Sequence, residues 1–105
     1  MANDIFVQRT FRINGQDVDC RFFRPEQDQG NFFCQYEIDW PGETRTKKLG
    51  GVDEVQALLL AMQAAHTDLL AARENDLKEV QWLYDRSLGL PIASSIRDWD
   101  PENRF

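Results

Sequence analysis

The dipeptide Asn14–Gly15, in the stretch TFRINGQDVDCRFF, constrains the fold more than any other feature of the sequence. Both residue types tolerate the positive φ of a type I′ turn, and Asn-Gly between alternating apolar segments strongly indicates a β-hairpin. A two-residue turn also fixes the register, because a slip of one residue would move every apolar side chain to the opposite face. We therefore expect residues 4–13 to pair antiparallel with residues 16–24.

The expected register divides the side chains of this hairpin between an inner face and an outer face. The inner face receives the apolar positions of both strands and also places Arg9 opposite Cys20. The outer face places Phe6 opposite Phe23. An arginine and a thiol in an apolar row raise the question of whether this face holds a reactive site or only a core.

Two more strand segments and a helical segment follow. Residues 31–40 alternate apolar and polar positions, and the polar segment 44–49 suits an edge strand. Asp53 is a good N-cap with Gln56 three residues further on, as in a capping box. The main helix is therefore expected over residues 53–74.

The helix has an apolar stripe that we expect to face the sheet, and a second face of smaller apolar residues. The expected sheet-facing stripe is Val55, Leu58, Leu59, Met62, Ala65, His66, Leu69 and Leu70. The second face, open to another element or partner, is Ala57, Leu60, Ala61, Ala64 and Ala71.

These segments predict one α+β domain over residues 1–105. An antiparallel four-stranded meander within residues 1–49 packs against the long helix. Residues 75–105 form a C-terminal segment and tail that either packs on the helix or lengthens the sheet.

Composition narrows the classes of partner. The formal net charge of −6 disfavours nucleic acid and anionic membrane surfaces, and is compatible with a basic partner. No apolar run approaches the roughly 18 residues of a membrane span, and the N-terminus carries no secretory signal pattern. With two cysteines, which favour reduced thiols over a disulfide framework, we expect a cytoplasmic protein.

The outer face of the sheet is the first candidate site. An aromatic cluster with an arginine beside a polar region is typical of a protein contact surface. With one residue from the second face of the helix, the candidate partner-binding residues are Phe6, Arg21, Phe23, Phe33 and Leu60. The alternative is that the tail folds back through Trp99 or Phe105 and covers this face.

The inner face supplies the alternative site. If the second hairpin is centred near Gln27, Cys34 becomes the next neighbour of Cys20, and the helix brings His66 over them. A cationic neighbour lowers a thiol pKa and a histidine can act as base, so Arg9, Cys20, Cys34 and His66 would form a thiol-dependent or small-molecule site. The competing interpretation is that free cysteines are simply small buried apolar residues.

Other chemistry finds little support. One histidine and two cysteines without C-x-x-C spacing do not make a zinc site, and no calcium-loop pattern is present. No phosphate-binding or nucleophile-elbow motif occurs either. We expect neither a metal nor a cofactor, and no enzymatic activity other than that of the alternative thiol site.

The segments GGVDEVQALLLAMQ and WLYDRSLGLP resemble a family of small bacterial domains of unknown function. The resemblance implies a bacterial origin and a strand meander followed by a helix, and it implies no activity. The function predicted from the sequence is a protein-interaction or self-association module, with a homodimer as one form.

Overall fold

The computed structural model describes residues 4–101 of the chain. It contains six strands, one α-helix and a short 3-10 segment. In chain order these are β1 Ile5–Ile13, β2 Gln16–Phe23, β3 Glu26–Asp28, β4 Asn31–Trp40, β5 Glu43–Gly51, α1 Glu54–Asn75, β6 Val80–Gln81 and the 3-10 segment Ser94–Trp99.

The α+β prediction is confirmed: an antiparallel sheet packs against one main helix. The strand count was wrong, because the sheet has six strands rather than four. β1, β2, β4 and β5 form the expected meander, β3 pairs with the first residues of β4, and β6 pairs with the end of β1. β3 and β6 are three and two residues long, too short to show an alternating pattern.

The register of the first hairpin is confirmed over most of its length. Ile13 lies opposite Gln16, and Arg9 lies opposite Cys20. Asn14 and Gly15 have φ of 51° and 82°, the positive values that a type I′ turn needs. The expected pairing of Phe6 with Phe23 was wrong, because a bulge inserts Phe6 as an extra residue and Ile5 takes the place opposite Phe23.

The helix begins as predicted, and the stripe expected to face the sheet is buried only in part. Asp53 accepts a hydrogen bond from the Gln56 N–H at 2.8 Å, and the Gln56 side chain accepts from the Val52 N–H at 2.8 Å. The C-terminal half of the stripe is buried as expected: Ala65, His66, Leu69 and Leu70. Val55 and Leu59 of that stripe are exposed, and Ala57 and Ala61 of the second face are buried instead. The cause is the close approach of β5 to the helix. A Cβ on Gly51 would lie 2.6 Å from the Ala57 nitrogen, so only small residues fit at this contact.

The C-terminal segment does both things expected of it. Val80 and Gln81 lengthen the sheet, and Leu88, Leu90 and Ile92 join the buried core. Trp99 remains 38% exposed, while Phe105 lies outside the described residues.

Candidate interaction surface

The edge of the sheet formed by β1 is only partly covered. β6 pairs with β1 at Arg12 and Ile13 alone. Hydrogen-bonded pairs recur at every second residue from the turn, so Ile13 and the odd-numbered residues down to Val7 direct their N–H and C=O groups to β2. Gln8 therefore directs its own backbone groups to the open edge, and no residue between 4 and 101 hydrogen-bonds to them.

Apolar side chains cluster at the open end of this strand. Ile5, Phe6 and Val7 are 53%, 44% and 40% exposed. The Arg24 guanidinium lies 5.0 Å from the centroid of the Phe6 ring. Three consecutive exposed apolar residues next to unpaired backbone groups are unusual on an edge strand, where charges commonly discourage association.

A second tight hairpin follows β6. Trp82 and Asp85 exchange two backbone hydrogen bonds of 2.9 Å, which leaves Leu83 and Tyr84 as the two central residues of the turn. Their φ values are 52° and 66°, and their side chains are 71% and 85% exposed. The left-handed conformation costs a bulky L-residue roughly 1–2 kcal/mol. Neither side chain gains burial in return.

Two arginines from distant elements hold this hairpin in place. Arg73, on α1, donates hydrogen bonds to the carbonyls of Val80 at 2.6 Å and Arg86 at 2.8 Å. Arg9, on β1, lies 3.7 Å from the centroid of the Trp82 ring. Strained turns persist where the surroundings determine the conformation, and here these contacts do so.

Arg9 also fixes the chain that follows the hairpin. Its Nη1 donates to the carbonyls of Leu88 at 2.9 Å and Gly89 at 2.8 Å. A Cβ on Gly89 would lie 2.4 Å from the Trp82 ring, so only glycine allows this packing. Partial burial lowers the pKa of Arg9 from its ordinary value, although the guanidinium remains charged in proteins.

The hairpin tip and the open end of β1 lie on the same edge of the sheet. β6 runs antiparallel to β1 with Gln81 opposite Arg12, so the tip extends towards the start of β1. Continuing that register places Leu83 beside Thr10, about 10 Å along the strand from Val7. We call the five exposed apolar side chains of this edge the β1-edge surface: Ile5, Phe6, Val7, Leu83 and Tyr84.

The predicted contact residues lie in several environments. Phe6 is exposed at the open end of β1, whereas Phe23 is only 8% exposed. Phe33 is partly buried and pairs with Glu26 and with Gly50. Leu60 is partly buried on α1.

Arg21 belongs to an ion-pair network on the outer face. Its Nη1 and Nη2 donate to the two carboxylate oxygens of Asp39 at 2.8 and 2.7 Å, and Nη2 also reaches Glu37 at 3.2 Å. The hydrogen bond to Arg21 lowers the pKa of Asp39, and the hydrogen bond to Asp39 raises the pKa of Arg21. This guanidinium is engaged within the sheet, so its geometry favours a structural role.

The four residues of the predicted thiol site do not share one centre. Cys20 lies opposite Ile38, because the turn after β3 falls at Gln29–Gly30, and Cys34 lies opposite Leu49. The assumption of a hairpin centred near Gln27 was therefore wrong. Burial raises the pKa of Cys20 to about 12 and that of Cys34 to about 11. A thiol-dependent site stays a prediction, and these shifts weigh against it.

His66 makes its hydrogen bonds elsewhere. It is fully buried on α1, with Nδ1 3.0 Å from the Pro91 carbonyl and Nε2 3.2 Å from Asp100. The Asp100 carboxylate is also 3.9 Å from Arg73. This network fastens the C-terminal segment to the helix, which is the structural role of a buried and hydrogen-bonded histidine.

A cleft of about 220 Å³ lies between β5 and the C-terminal half of α1. Its charged side chains pair with one another: Lys47 lies 2.9 Å from Asp68, and Arg45 lies 2.9 Å from Glu43. The buried Tyr36 hydroxyl donates to Asp68 at 2.5 Å, and burial with this bond raises the Tyr36 pKa. These pairs leave the cleft without a dominant charge that would attract a ligand.

Metal-binding clusters and membrane-spanning helices are both absent from the described part of the chain. Residues 4–101 contain no group of three or more histidine, cysteine, aspartate or glutamate side chains placed to bind a metal. No helix in the same range has the length and apolar character needed to cross a bilayer.

Sequence reasoning missed the hairpin tip. Leu83 and Tyr84 lack the glycine or asparagine that marks a type I′ turn, so no local pattern identifies them. The open end of β1 was partly found, since Phe6 was among the predicted contact residues.

A comparison with protein-family models gives one finding. Residues 7–92 match the model described as "Domain of unknown function (DUF6968)". The matched range includes most of the sheet, the helix and the hairpin tip. No curated protein and no solved structure matches the chain.

Proposed function

Because the chain belongs to the DUF6968 family of domains of unknown function, we propose its role from its surface: it is a protein-interaction module that binds through the β1-edge surface. This role agrees in kind with the sequence-based expectation of an interaction or self-association module. It moves the contact from the outer face of the sheet to the edge.

The observation that carries the proposal is the coincidence of two unfavourable features at the hairpin tip. Leu83 and Tyr84 are bulky residues held at positive φ, and both are largely exposed. A turn optimised for the isolated domain would use asparagine and glycine, as Asn14–Gly15 does on the same sheet. Large apolar and aromatic side chains presented on a rigid turn are typical anchors of protein interfaces.

The neighbouring strand supports the same proposal. Ile5, Phe6 and Val7 add apolar area, and Gln8 adds backbone groups that an extended partner segment would satisfy. Apolar side chains around an open edge match the mode of recognition in which a partner adds a strand to a sheet.

Sedimentation velocity tests the proposal. The purified chain, fluorescently labelled, is followed alone over a range of concentrations and in a soluble extract of its native host. We expect it to sediment faster than a single chain in at least one condition. The double variant Leu83→Asn/Tyr84→Gly should sediment as a single chain in both, since it keeps the turn and removes both anchors.

A matched control removes an exposed apolar side chain elsewhere. Val55 is 73% exposed on the helix, so Val55→Ser lowers the exposed apolar area without touching the edge. It should sediment as the unmodified chain does. A single-chain sedimentation rate for the unmodified protein in both conditions would contradict the proposal.

A further inference from the structure

We propose that the partner at the β1-edge surface is a second copy of this chain, paired antiparallel through β1 about a two-fold axis beside Val7. This inference rests on the proposed function and specifies the partner. Its pairing segment is residues 5–9, because the hairpin tip lies alongside the strand beyond them.

The open edge of β1 is complementary to a second copy of itself. Two identical strand edges brought together antiparallel match donors with acceptors, and an interface with two-fold symmetry uses the same patch on both copies. Gln8 directs its N–H and C=O to this edge, and no residue between 4 and 101 hydrogen-bonds to them. In this register Gln8 faces Phe6, the bulged residue of β1, in the second copy.

The exposed apolar area of the β1-edge surface also supports self-pairing. Side chains of this size expose on the order of 200 Å² each when fully accessible, so the β1-edge surface presents roughly 600 Å² per copy. Pairing two copies would bury about 1,200 Å² from these side chains, the lower limit for a stable specific interface. Complete burial of these side chains, together with the backbone pairing of the two strands, therefore reaches the size of a small specific interface.

The hairpin tip is placed to contact the second copy. In the antiparallel arrangement, Arg9 of one copy comes beside Ile5 of the other. The tip that begins beside Thr10 then extends over the open end of the partner strand. Leu83 and Tyr84 would therefore pack against the exposed start of β1 in the other copy, where each is otherwise in water.

Charge does not oppose this pairing locally, although the whole chain carries −6. The pairing segment contains one charged residue, Arg9, whose guanidinium is engaged by the Trp82 ring and by the carbonyls of Leu88 and Gly89. Arg24 lies beside Phe6, and Asp4 precedes the segment, so both signs border the edge.

Two variants test the arrangement directly. Gln8→Pro removes an N–H that faces the open edge and is not part of the β1–β2 ladder, so the single chain keeps its hydrogen bonds. We expect the purified unmodified chain to sediment at twice the mass of one chain, and Gln8→Pro to lose that species while keeping its circular dichroism spectrum. If Gln8→Pro does not fold, Val7→Lys at the partly exposed neighbouring position serves the same purpose.

Cysteine cross-linking tests the register. Beside the two-fold axis Val7 faces its own copy in a non-hydrogen-bonded pair with Cα atoms about 4.5 Å apart, which a disulfide can bridge. Val7→Cys should form a covalent dimer under mild oxidation. Cys20 and Cys34 are fully buried and should not interfere. Asp17→Cys, at a side chain 70% exposed, is the matched control and should remain a single chain.

Three outcomes would overturn the self-pairing. The purified chain could sediment as one chain at every concentration while forming a complex in the extract, which would keep the proposed function and exclude a second copy. A dimer that survives both Gln8→Pro and Val7→Lys would use another face. A Val7→Cys chain that cross-links no faster than Asp17→Cys would exclude this register.

Discussion

The two tight hairpins of this sheet reach similar turn geometries by opposite means. Asn14–Gly15 uses residues that adopt positive φ at little cost, and Leu83–Tyr84 uses residues that resist it. The residue types of the first turn favour its conformation, whereas the conformation of the second turn is imposed by contacts from other elements.

The contacts around the second hairpin show where its conformation comes from. Arg73 bonds to the carbonyls on both of its arms, and Arg9 stacks on Trp82. The two hairpins are also linked, because Glu79 exchanges hydrogen bonds with Asn14. Strain in one turn is therefore supported by the stability of the rest of the domain, an arrangement expected where a segment serves a purpose other than folding.

Removing the buried support should have the largest effect. Arg73→Met deletes the hydrogen bonds to Val80 and Arg86 and leaves Asp100 without this nearby cation. We expect the free energy of unfolding to fall by about 3 kcal/mol, since breaking a buried charged network strands its partners. Urea denaturation measures the loss.

Hydrogen exchange locates the same loss. Amides of residues 80–87 should lose protection in Arg73→Met well before those of β2. Equal loss of protection in both hairpins would show that the second is not separately held by Arg73.

Replacing the residues of the first turn by those of the second should cause the second-largest loss of stability. Asn14→Leu/Gly15→Tyr places bulky residues at positive φ and removes the Asn14 side chain that accepts from Glu79 at 2.9 Å. The free energy of unfolding should fall by about 2–3 kcal/mol, because the Arg12 guanidinium that donates to the Gly15 carbonyl at 2.6 Å is exposed to solvent and compensates little.

Gly15→Ala separates the backbone cost from any clash. A Cβ at this position meets nothing within 4 Å. The free energy of unfolding should therefore fall by about 1 kcal/mol, and this change measures only the cost of placing an L-residue at positive φ. If Asn14→Leu/Gly15→Tyr is as stable as the unmodified chain, the first turn does not depend on its own residues, and the two turns do not differ in this respect.

The comparison also explains which parts of the fold the sequence could predict. Asn14–Gly15, the Asp53 cap and the alternation in β4 are local patterns, and each led to the right element. β6 and the second turn depend on Arg73, on the preceding helix, and on Arg9, on the first strand, so residues 80–85 do not themselves contain the cause of their conformation. Of the proposed β1-edge surface the sequence predicted only Phe6, because Leu83 and Tyr84 carry no turn pattern that would place them at a hairpin tip.

Weakening the second support of the strained turn should have an intermediate effect. Arg9→Met keeps much of the side-chain volume and loses the stacking on Trp82 and the bonds to Leu88 and Gly89. We expect a loss of about 2 kcal/mol in urea denaturation, since Arg9 is only partly buried and water can reach the freed carbonyls. Arg45→Met, on β5 with an exposed ion pair to Glu43, is the control and should change stability by less than about 0.5 kcal/mol.

Relieving the strain should have the smallest effect and the opposite sign. Leu83→Asn/Tyr84→Gly gives the second turn the residues of the first, so relief at two positive-φ positions exceeds the entropy that glycine adds to the unfolded chain. Both original side chains are largely exposed, so little packing is lost. The free energy of unfolding of the single chain should rise by about 1 kcal/mol. If the variant is more stable as a single chain but no longer associates, Leu83 and Tyr84 are retained for contact at the expense of stability. If the variant unfolds more easily, the two side chains stabilise the fold of the single chain instead.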